Sequence, residues 1–242
     1  MTTRPRRIGH KGADHIAPGN TTASFDAALA HGCDMVEFDV LPERAPGSEE
    51  YTGRLVLAHD FKDAAQRTPL TLEAGLDHLA GAAFAGVELD VDLKTHGYEE
   101  RVIGALRERG LESRTLISTM EVVSLPVVRA LSSEVRLGWS VPKVKRNYLA
   151  NPLTKPLAIA TVQMLRRTVP RAVARALRAG EIDAVMSHFS LVTPHFVRAV
   201  AAAGGELYVW TVDDAEKIRR FERMGVTGVI TNDPRLFDPL TA

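Results

Sequence analysis

Two short stretches of the sequence, MVEFDV at residues 35–40 and LDVDLK at residues 89–94, alternate apolar with charged side chains. Because successive side chains of a β-strand point to opposite faces, each stretch predicts a strand with one apolar and one charged face. If the apolar faces pack against helices, the carboxylates point into the interior of a barrel. Like charges buried there are costly unless they are neutralised, which predicts a bound metal ion. The alternatives are a solvated acidic face or pairing with Lys and Arg of the lumen.

Outward from these stretches, β-rich runs alternate with helical patterns, which is typical of βα units around a parallel sheet. Eight strands with their helices in 242 residues fit a (β/α)8, or TIM, barrel of the α/β class. A doubly wound open sheet is the alternative. We therefore predict a single barrel domain over residues 1–242. The predicted strands are 7–10, 35–40, 87–93, 115–119, 136–141, 184–188, 207–212 and 228–231.

The helical patterns between these strands carry recognisable end signals. Asn20 is a candidate N-cap of the first helix, and glycines follow several helices where a left-handed C-terminal cap is expected. The predicted helices are 22–31, 72–79, 98–109, 122–131, 171–179, 194–203 and 214–224. The glycines are Gly32, Gly110, Gly180, Gly204 and Gly225.

Two segments interrupt the alternation. Residues 44–54 are polar with Pro and Gly, and predict a loop that leads into a short extension, 55–59. The insertion at about 142–170 is basic around the apolar stretch 157–165, and it follows the fifth predicted strand on the face where barrels build active sites. It predicts a solvated helix and loop with one core-facing stripe. The alternative is peripheral contact with an anionic membrane.

Composition excludes several classes of protein. With 45% hydrophobic and 25% charged residues the chain is globular, neither disordered nor fibrous. It has no apolar run of the ~18 residues that a membrane span needs and no apolar signal-peptide core, so we expect a cytoplasmic protein. Cys33 is the only cysteine, which excludes an internal disulfide and a thiolate zinc cluster.

Charge is balanced over the whole chain but unevenly distributed. Residues 33–92 contain 13 acidic and 4 basic residues, whereas residues 135–180 contain 10 basic residues and no acidic one. The first region is suited to hold a cation and the second to meet an anion. No nucleic-acid reading motif accompanies the basic region, so we expect no nucleic-acid partner.

Two histidines flank the acidic strands. His10 ends the first predicted strand and His59 ends the extension 55–59, the kind of position from which barrel enzymes draw catalytic side chains. Two histidines on opposite sides of a scissile bond can act as base and acid near neutral pH. The other six histidines are expected to be structural or surface residues. An all-carboxylate metal site suits Mg²⁺, Ca²⁺ or Mn²⁺ rather than zinc.

An ordered set of motifs from His10 to about Pro234 resembles the glycerophosphodiester phosphodiesterase family. The motifs are HKG at 10–12, APGNT at 17–21, EFD at 37–39, HD at 59–60, DLK at 92–94, WTVD at 210–213 and GVTGVITNDP at 225–234. The resemblance implies a (β/α)8 barrel that uses a divalent cation to hydrolyse glycerophosphodiesters to glycerol 3-phosphate and an alcohol.

The resemblance also implies roles for individual residues. His10 and His59 match the pair that carries acid-base catalysis, and we assign His10 as base and His59 as acid, although these residues permit the reverse. Glu37 and Asp39 match the metal-binding Glu-x-Asp, and Asp92 stands where the family usually has a glutamate ligand. Water attacks directly, or a neighbouring substrate hydroxyl attacks first and forms a cyclic phosphate; both routes stay open here.

Lys11, Lys94 and Trp210 match positions that line the substrate. Lys11 and Lys94 would place positive charge near the phosphate, and Trp210 would line the alcohol side or serve as an ordinary buried strand residue.

Three departures bear on specificity. Lys11 replaces the usual arginine, which exchanges a two-pronged phosphate contact for a point charge. Gly19 replaces the usual glutamate, and only about a dozen residues separate His59 from Leu72, where typical members carry a longer insertion. Two further hypotheses therefore accompany the main one. The first is hydrolysis of lysophospholipids in the manner of a lysophospholipase D, and the second is a noncatalytic barrel that binds an anion.

Overall fold

Eight parallel strands close into a barrel in the computed structural model, which describes residues 4–143 and 155–238. The strands are β1 (Arg6–Gly9), β2 (Met35–Arg44), β3 (Tyr51–Leu57), β4 (Glu88–Leu93), β5 (Thr115–Thr119), β6 (Arg136–Val141), β7 (Ala184–His188), β8 (Glu206–Trp210) and β9 (Gly228–Thr231). All of them except β3 are parallel, and β1 pairs with both β2 and β9, which closes the sheet. The predicted TIM barrel is confirmed.

Helices cover the outer surface of the barrel. They are α1 (Thr22–Ala30), α2 (Phe61–Gln66), α3 (Leu72–Leu79), α4 (Glu99–Arg107), α5 (Ser124–Leu131), α6 (Lys155–Arg178), α7 (Pro194–Ala201) and α8 (Ala215–Met224). The apolar strand faces lie beneath them: Val36, Phe38 and Val91 are fully buried in one core cluster with the helices. The five glycines predicted to end helices have positive φ, from 64° at Gly110 to 78° at Gly225, as left-handed caps require.

The predicted loop 44–54 is shorter than expected because a hairpin forms there. β2 continues to Arg44 and pairs with the antiparallel strand β3, so that the turn covers only residues 45–50. Polar residues hold the hairpin where no apolar pattern signals it: the Arg54 guanidinium lies 2.7 Å from Glu43. Arg44 places its guanidinium 3.6 Å from the centre of the Phe61 ring. The first part of β3 is therefore stabilised by side-chain pairs across the hairpin. It lacks the alternating apolar pattern from which a strand is predicted.

The predicted helix 171–179 is the last part of a longer helix, because α6 already begins at Lys155, within the basic insertion, and continues through Pro170. Proline removes one backbone hydrogen bond from a helix interior. Here Pro170 is buried and Val169 packs against the core, so tertiary contacts offset that loss. Residues 144–154, which include Lys145 and Arg146 of the predicted insertion, lie outside the described residues. No helix within the described ranges is long and apolar enough to cross a membrane.

The lumen is filled in layers along the barrel axis. At the N-terminal ends of the strands, Arg6 and Arg136 each contact both Glu88 and Glu206, at 2.6 to 3.3 Å. We call these four residues the N-terminal charge layer. Above it lies an apolar plug of side chains that are at most 2% exposed, formed by Ile8, Met35, Leu116, Ala184, Met186, Tyr208 and Ile230. The carboxylates of β2 and β4 follow at the C-terminal ends.

Candidate active site

Three carboxylates converge at the C-terminal end of the lumen. Glu37, Asp39 and Asp92 each present an oxygen, and these oxygens lie within 4.8 Å of one another. Strand register causes this, because Asp39 and Asp92 are direct partners on the parallel strands β2 and β4. Glu37 and Asp39 are buried and Asp92 is half-buried. The inward direction predicted from the alternating pattern is therefore observed.

One lysine accompanies these three carboxylates. Lys94 Nζ contacts Asp39 Oδ1 and lies 2.5 Å from Asp92 Oδ2. Internal ion pairing, the alternative to a metal site, is thus present but incomplete, since one ammonium faces three carboxylates. Asp92 Oδ1 is buried and has no hydrogen-bond partner among the described residues. Oxygen-only donors, excess negative charge and a buried oxygen without a partner fit a hard divalent cation.

The pKa directions reflect the same imbalance. Burial raises the pKa of Glu37 well above its ordinary value, and the adjacent Asp39 carboxylate raises it further. Burial also acts to raise the pKa of Asp39, but the charge of Lys94 beside it outweighs burial and holds that pKa below its ordinary value. One step deeper in the lumen, burial raises the pKa of Asp90 to about 7. The lysine of the cluster therefore stabilises the charged form of Asp39, whereas the charged form of Glu37 lacks a comparable partner.

The loop after β1 aims backbone groups at this cluster. Lys11 has φ of 50°, a left-handed conformation that is uncommon for a residue with a side chain, and its N–H donates to Glu37 Oε2 at 2.7 Å. The next residue, Gly12, has φ of 84°, and a Cβ there would lie 2.5 Å from the Ser24 carbonyl carbon. The HKG motif is therefore a sharp turn that holds Glu37 through the backbone.

Asn20 holds the second carboxylate. Its Nδ2 donates to Asp39 Oδ2 at 2.8 Å, and its Oδ1 accepts the Asp39 N–H at 3.0 Å. The prediction of Asn20 as helix cap is wrong: Thr21 is the N-cap of α1 and accepts from the Ser24 N–H. Asn20 has φ of 59°, which turns its side chain away from the helix and into the lumen. Sequence spacing does not reveal this left-handed turn.

The substitutions at positions 11 and 19 form one structural unit. Lys11 Nζ lies 2.5 Å from Asp14 Oδ2, and Asp14 Oδ1 accepts the Gly19 N–H at 2.9 Å. A Cβ at position 19 would lie 2.5 Å from that same oxygen. Asp14 therefore occupies the space beside a glycine and orients the lysine, which links the two departures.

Asn232 and Asp213 orient His10, which directly follows β1. The Nδ1 atom of His10 lies 2.6 Å from Asn232 Oδ1, while Asn232 Nδ2 donates to Asp213 Oδ2 at 2.6 Å. Because the Asn232 amide donates to Asp213, its oxygen faces His10 and assigns the proton to Nδ1. The free Nε2 then lies 3.9 Å from Glu37 Oε2. Burial lowers the pKa of His10, which favours the neutral ring.

His59 stands at the mouth of the site, after β3. Its ring is half exposed, with Nδ1 3.4 Å from Asp60 Oδ2, and its backbone N–H donates to Asp63 at 3.0 Å. The side chain borders a cavity of about 380 Å³ that is also lined by Lys11, Arg67 and Asn20, whose amide contacts Asp39. Lys11 connects the two histidines, because it directly follows His10 in the chain and lines the same cavity as His59.

Family membership follows from the sequence once this arrangement is known. Residues 10–44 and 89–236 match the model of the glycerophosphoryl diester phosphodiesterase family. The chain belongs to this family. Between the two matched ranges lie residues 45–88, which hold His59 and the short connection to α3. The family assigns the chain phosphodiesterase activity toward glycerophosphodiesters.

Individual phosphodiesterases of this family are similar along nearly the whole chain. The glycerophosphodiester phosphodiesterase of Caldanaerobacter subterraneus subsp. tengcongensis is 26% identical over 261 aligned residues, covering 94% of this chain and 93% of that one. A solved glycerophosphodiester phosphodiesterase from Parabacteroides distasonis has a TM-score of 0.71 at 17% identity, covering 97% and 95%. The Oleispira antarctica phosphodiesterase, solved with the product sn-glycerol-3-phosphate, has a TM-score of 0.65 at 20% identity, covering 96% and 94%. These two structures share the fold.

Trp210 occupies the remaining predicted position of this phosphodiesterase. It is half-buried at the end of β8, where it packs on the apolar plug and meets the edge of His188, with ring centroids 5.2 Å apart. Because it is only partly buried at the C-terminal end of a strand, both predicted roles fit its position. Asn232 directly follows the last strand, a position that favours functional side chains. It is nevertheless one of five residues near the site to which the sequence assigned no role there: Asp14, Asn20, Arg67, Asp213 and Asn232.

Proposed function

We propose that this phosphodiesterase converts glycerophosphodiesters to glycerol 3-phosphate and an alcohol, with a divalent cation held by Glu37, Asp39 and Asp92. The observation that carries this proposal is the excess of negative charge in the three converging carboxylates, which Lys94 neutralises only in part. The product-bound phosphodiesterase of the same fold supports glycerol 3-phosphate as the retained product. When bound, Mg²⁺, Ca²⁺ or Mn²⁺ would offset charge on the phosphate oxygens.

His10 is the proposed general base. Its Nδ1 proton is directed to Asn232, so Nε2 presents a lone pair to the interior of the site. Burial lowers the pKa of His10, so the ring is neutral and able to accept a proton near pH 7. A base at this position removes the proton from the attacking oxygen, whether that oxygen belongs to water or to a hydroxyl of the substrate.

His59 is the proposed general acid. It lies at the mouth of the site, where the departing alcohol leaves for solvent, and its half-exposed ring exchanges protons with water. Lys94 lies within the carboxylate cluster and Lys11 lines the cavity that His59 borders. Both ammonium groups would bind the phosphate oxygens, and Trp210 would line the alcohol side. Asp14 would keep Lys11 oriented toward the cavity.

A direct assay tests this function. Choline release from glycerophosphocholine is measured with Mg²⁺, with Ca²⁺ and with chelator, and we expect release only with a divalent ion. His10→Ala and His59→Ala should each lower kcat by about 10²- to 10⁴-fold. The control is His195→Ala, at an exposed residue of α7. Phosphorus NMR during turnover distinguishes direct attack by water from a transient cyclic phosphate. Equal release with chelator, or normal rates in both variants, would contradict the proposal.

A further inference from the structure

The exposed large apolar side chains lie at one end of the barrel. Among the described residues they are Ile16, Tyr51, Val122, Val123, Val127, Ile159 and Met164. Ile16 follows β1, Tyr51 lies at the far end of the hairpin, and Val122 and Val123 follow β5, all beyond the C-terminal ends of strands. Val127 lies in the first turns of α5. The active-site end of the barrel thus carries the apolar residues that a solvated protein normally distributes over its surface.

Helix α6 extends this apolar end beyond the barrel. The helix returns from the C-terminal end of β6 to the start of β7, so its first turns lie at the active-site end. Arg166 Nε donates to the Ser190 carbonyl, in the turn after β7, at 2.8 Å. At 1.5 Å per residue, the part of α6 before Arg166 is about 15 Å long. Ile159 and Met164 lie on this part and are 48% and 57% exposed.

Unpaired positive charge accompanies the apolar side chains. Arg167, Arg171, Arg175 and Arg178 are exposed at helical spacing on α6, and Arg167 and Arg171 are nearest the active-site end. No carboxylate lies within 4.0 Å of these four guanidinium groups in the parts of the chain that the structure describes. The helix from Lys155 to Arg178 contains no acidic residue. Apolar side chains beside unpaired arginines match a surface with negative head groups and an apolar interior.

We propose that the active-site end, with Ile159, Met164, Arg167 and Arg171, docks on an anionic lipid surface. The enzyme then takes a phosphodiester from a lysophospholipid at that surface. The choice of substrate rests on the proposed function, whereas the docking stands on the surface alone. A second copy of the chain is the less favoured occupant, because a symmetric contact through this face would bring the unpaired arginines of two helices together.

Vesicle binding tests the docking with the whole chain. Cosedimentation is measured with vesicles of phosphatidylcholine plus phosphatidylglycerol and with vesicles of phosphatidylcholine alone. We expect the mixed vesicles to bind more tightly. Ile159→Ser/Met164→Ser and Arg167→Gln/Arg171→Gln should each weaken that binding about tenfold. The matched control is Arg220→Gln/Arg223→Gln, two exposed arginines in the last turns of α8 at the opposite end of the barrel.

Three results would overturn the docking. They are absence of binding to mixed vesicles, equal weakening by the control variant, and a concentration-dependent dimer in light scattering that Ile159→Ser/Met164→Ser abolishes. Circular dichroism of each variant confirms that the fold is retained. His10→Ala should bind vesicles as the unmodified chain does, which separates docking from the proposed catalysis.

Turnover tests the source of the substrate. The substrate is lysophosphatidylcholine carried in the mixed, anionic vesicles. The variants in α6 should release choline from it about tenfold more slowly than the unmodified enzyme, with kcat/KM for glycerophosphocholine unchanged. This split supports substrate uptake from the surface. Equal losses on both substrates, or no release from lysophosphatidylcholine by an enzyme active on glycerophosphocholine, would overturn it while leaving the proposed function intact.

Discussion

The two ends of the barrel lumen solve the same electrostatic problem differently. In the N-terminal charge layer two arginines face two glutamates, and every group contacts two partners of opposite sign. At the C-terminal end three carboxyl groups face one lysine among the described residues, so the lysine cannot balance all of them. The apolar plug separates the two ends. The N-terminal charge layer is balanced by its own residues, whereas the C-terminal cluster is suited to bind a cation.

The largest effect is expected from breaking the N-terminal charge layer. Arg136→Met leaves Glu88 and Glu206 to share the single positive charge of Arg6, so that two half-buried carboxylates face one cation. Because the side chains are about a quarter exposed, we expect the free energy of unfolding to fall by about 3 kcal/mol, the low end for a broken buried pair. Urea unfolding measures it. Arg4→Met, which breaks an exposed pair with Asp34, is the control and should leave the midpoint nearly unchanged.

Filling the C-terminal cluster should give the next largest effect. At an ion concentration of about 100 times Kd, Mg²⁺ or Ca²⁺ adds about 2.7 kcal/mol, which raises Tm by about 5 to 10 °C for a chain of this size. Asp92→Asn should abolish the increase and, with chelator present, should leave Tm unchanged or higher because one like charge is gone. The control is Glu216→Gln, at an exposed residue of α8. An equal increase in Asp92→Asn would exclude Asp92 as a ligand.

The smallest effect is expected from removing the side chain that orients His10 at the C-terminal end of the lumen. Asn232→Ala removes the acceptor for the His10 Nδ1 proton and should lower kcat by about 10- to 100-fold with KM nearly unchanged. Nitrogen NMR should find the His10 proton on Nδ1 in the unmodified chain and on either nitrogen in the variant. Asp213→Ala, which does not touch His10, should cause a smaller loss in the same direction. Unchanged kcat with a mixed tautomer would remove Asn232 from the mechanism.

The sequence predicted the strands better than the contacts between loops. The alternation at 35–40 and 89–94 predicts two strands and also which of their side chains face the lumen. If the apolar faces of a barrel pack against helices, Glu37, Asp39 and Asp92 must point inward. The sequence left open whether a metal ion or a lysine neutralises these carboxylates. Pairing of Lys94 with Asp39 could not be predicted, because it depends on the register of β2 against β4. Only the last part of β3 was predicted, as the extension 55–59, and the helix within the insertion was predicted without its bounds. Cross-strand ion pairs and packing around Pro170 override the local signals there.

The site's supporting residues were the hardest to predict. Asn20 reaches Asp39 only because its backbone takes a left-handed turn. Asparagine is common at helix N-caps, so the sequence predicted that role instead. Asn232 and Asp213 meet His10 from the far end of the chain, a distance of more than 200 residues in sequence. Such contacts follow from barrel closure, which joins the first strand to the last.

The link between Lys11, Asp14 and Gly19 has an evolutionary consequence. A change from Gly19 to the family's usual glutamate would set a Cβ against Asp14 and displace the carboxylate that holds Lys11. A change of Asp14 alone would leave both the lysine and the Gly19 N–H without their partner. A return to the usual arginine and glutamate would therefore require Asp14 to take a new position. We expect the effects of changes at positions 11, 14 and 19 to depend on one another.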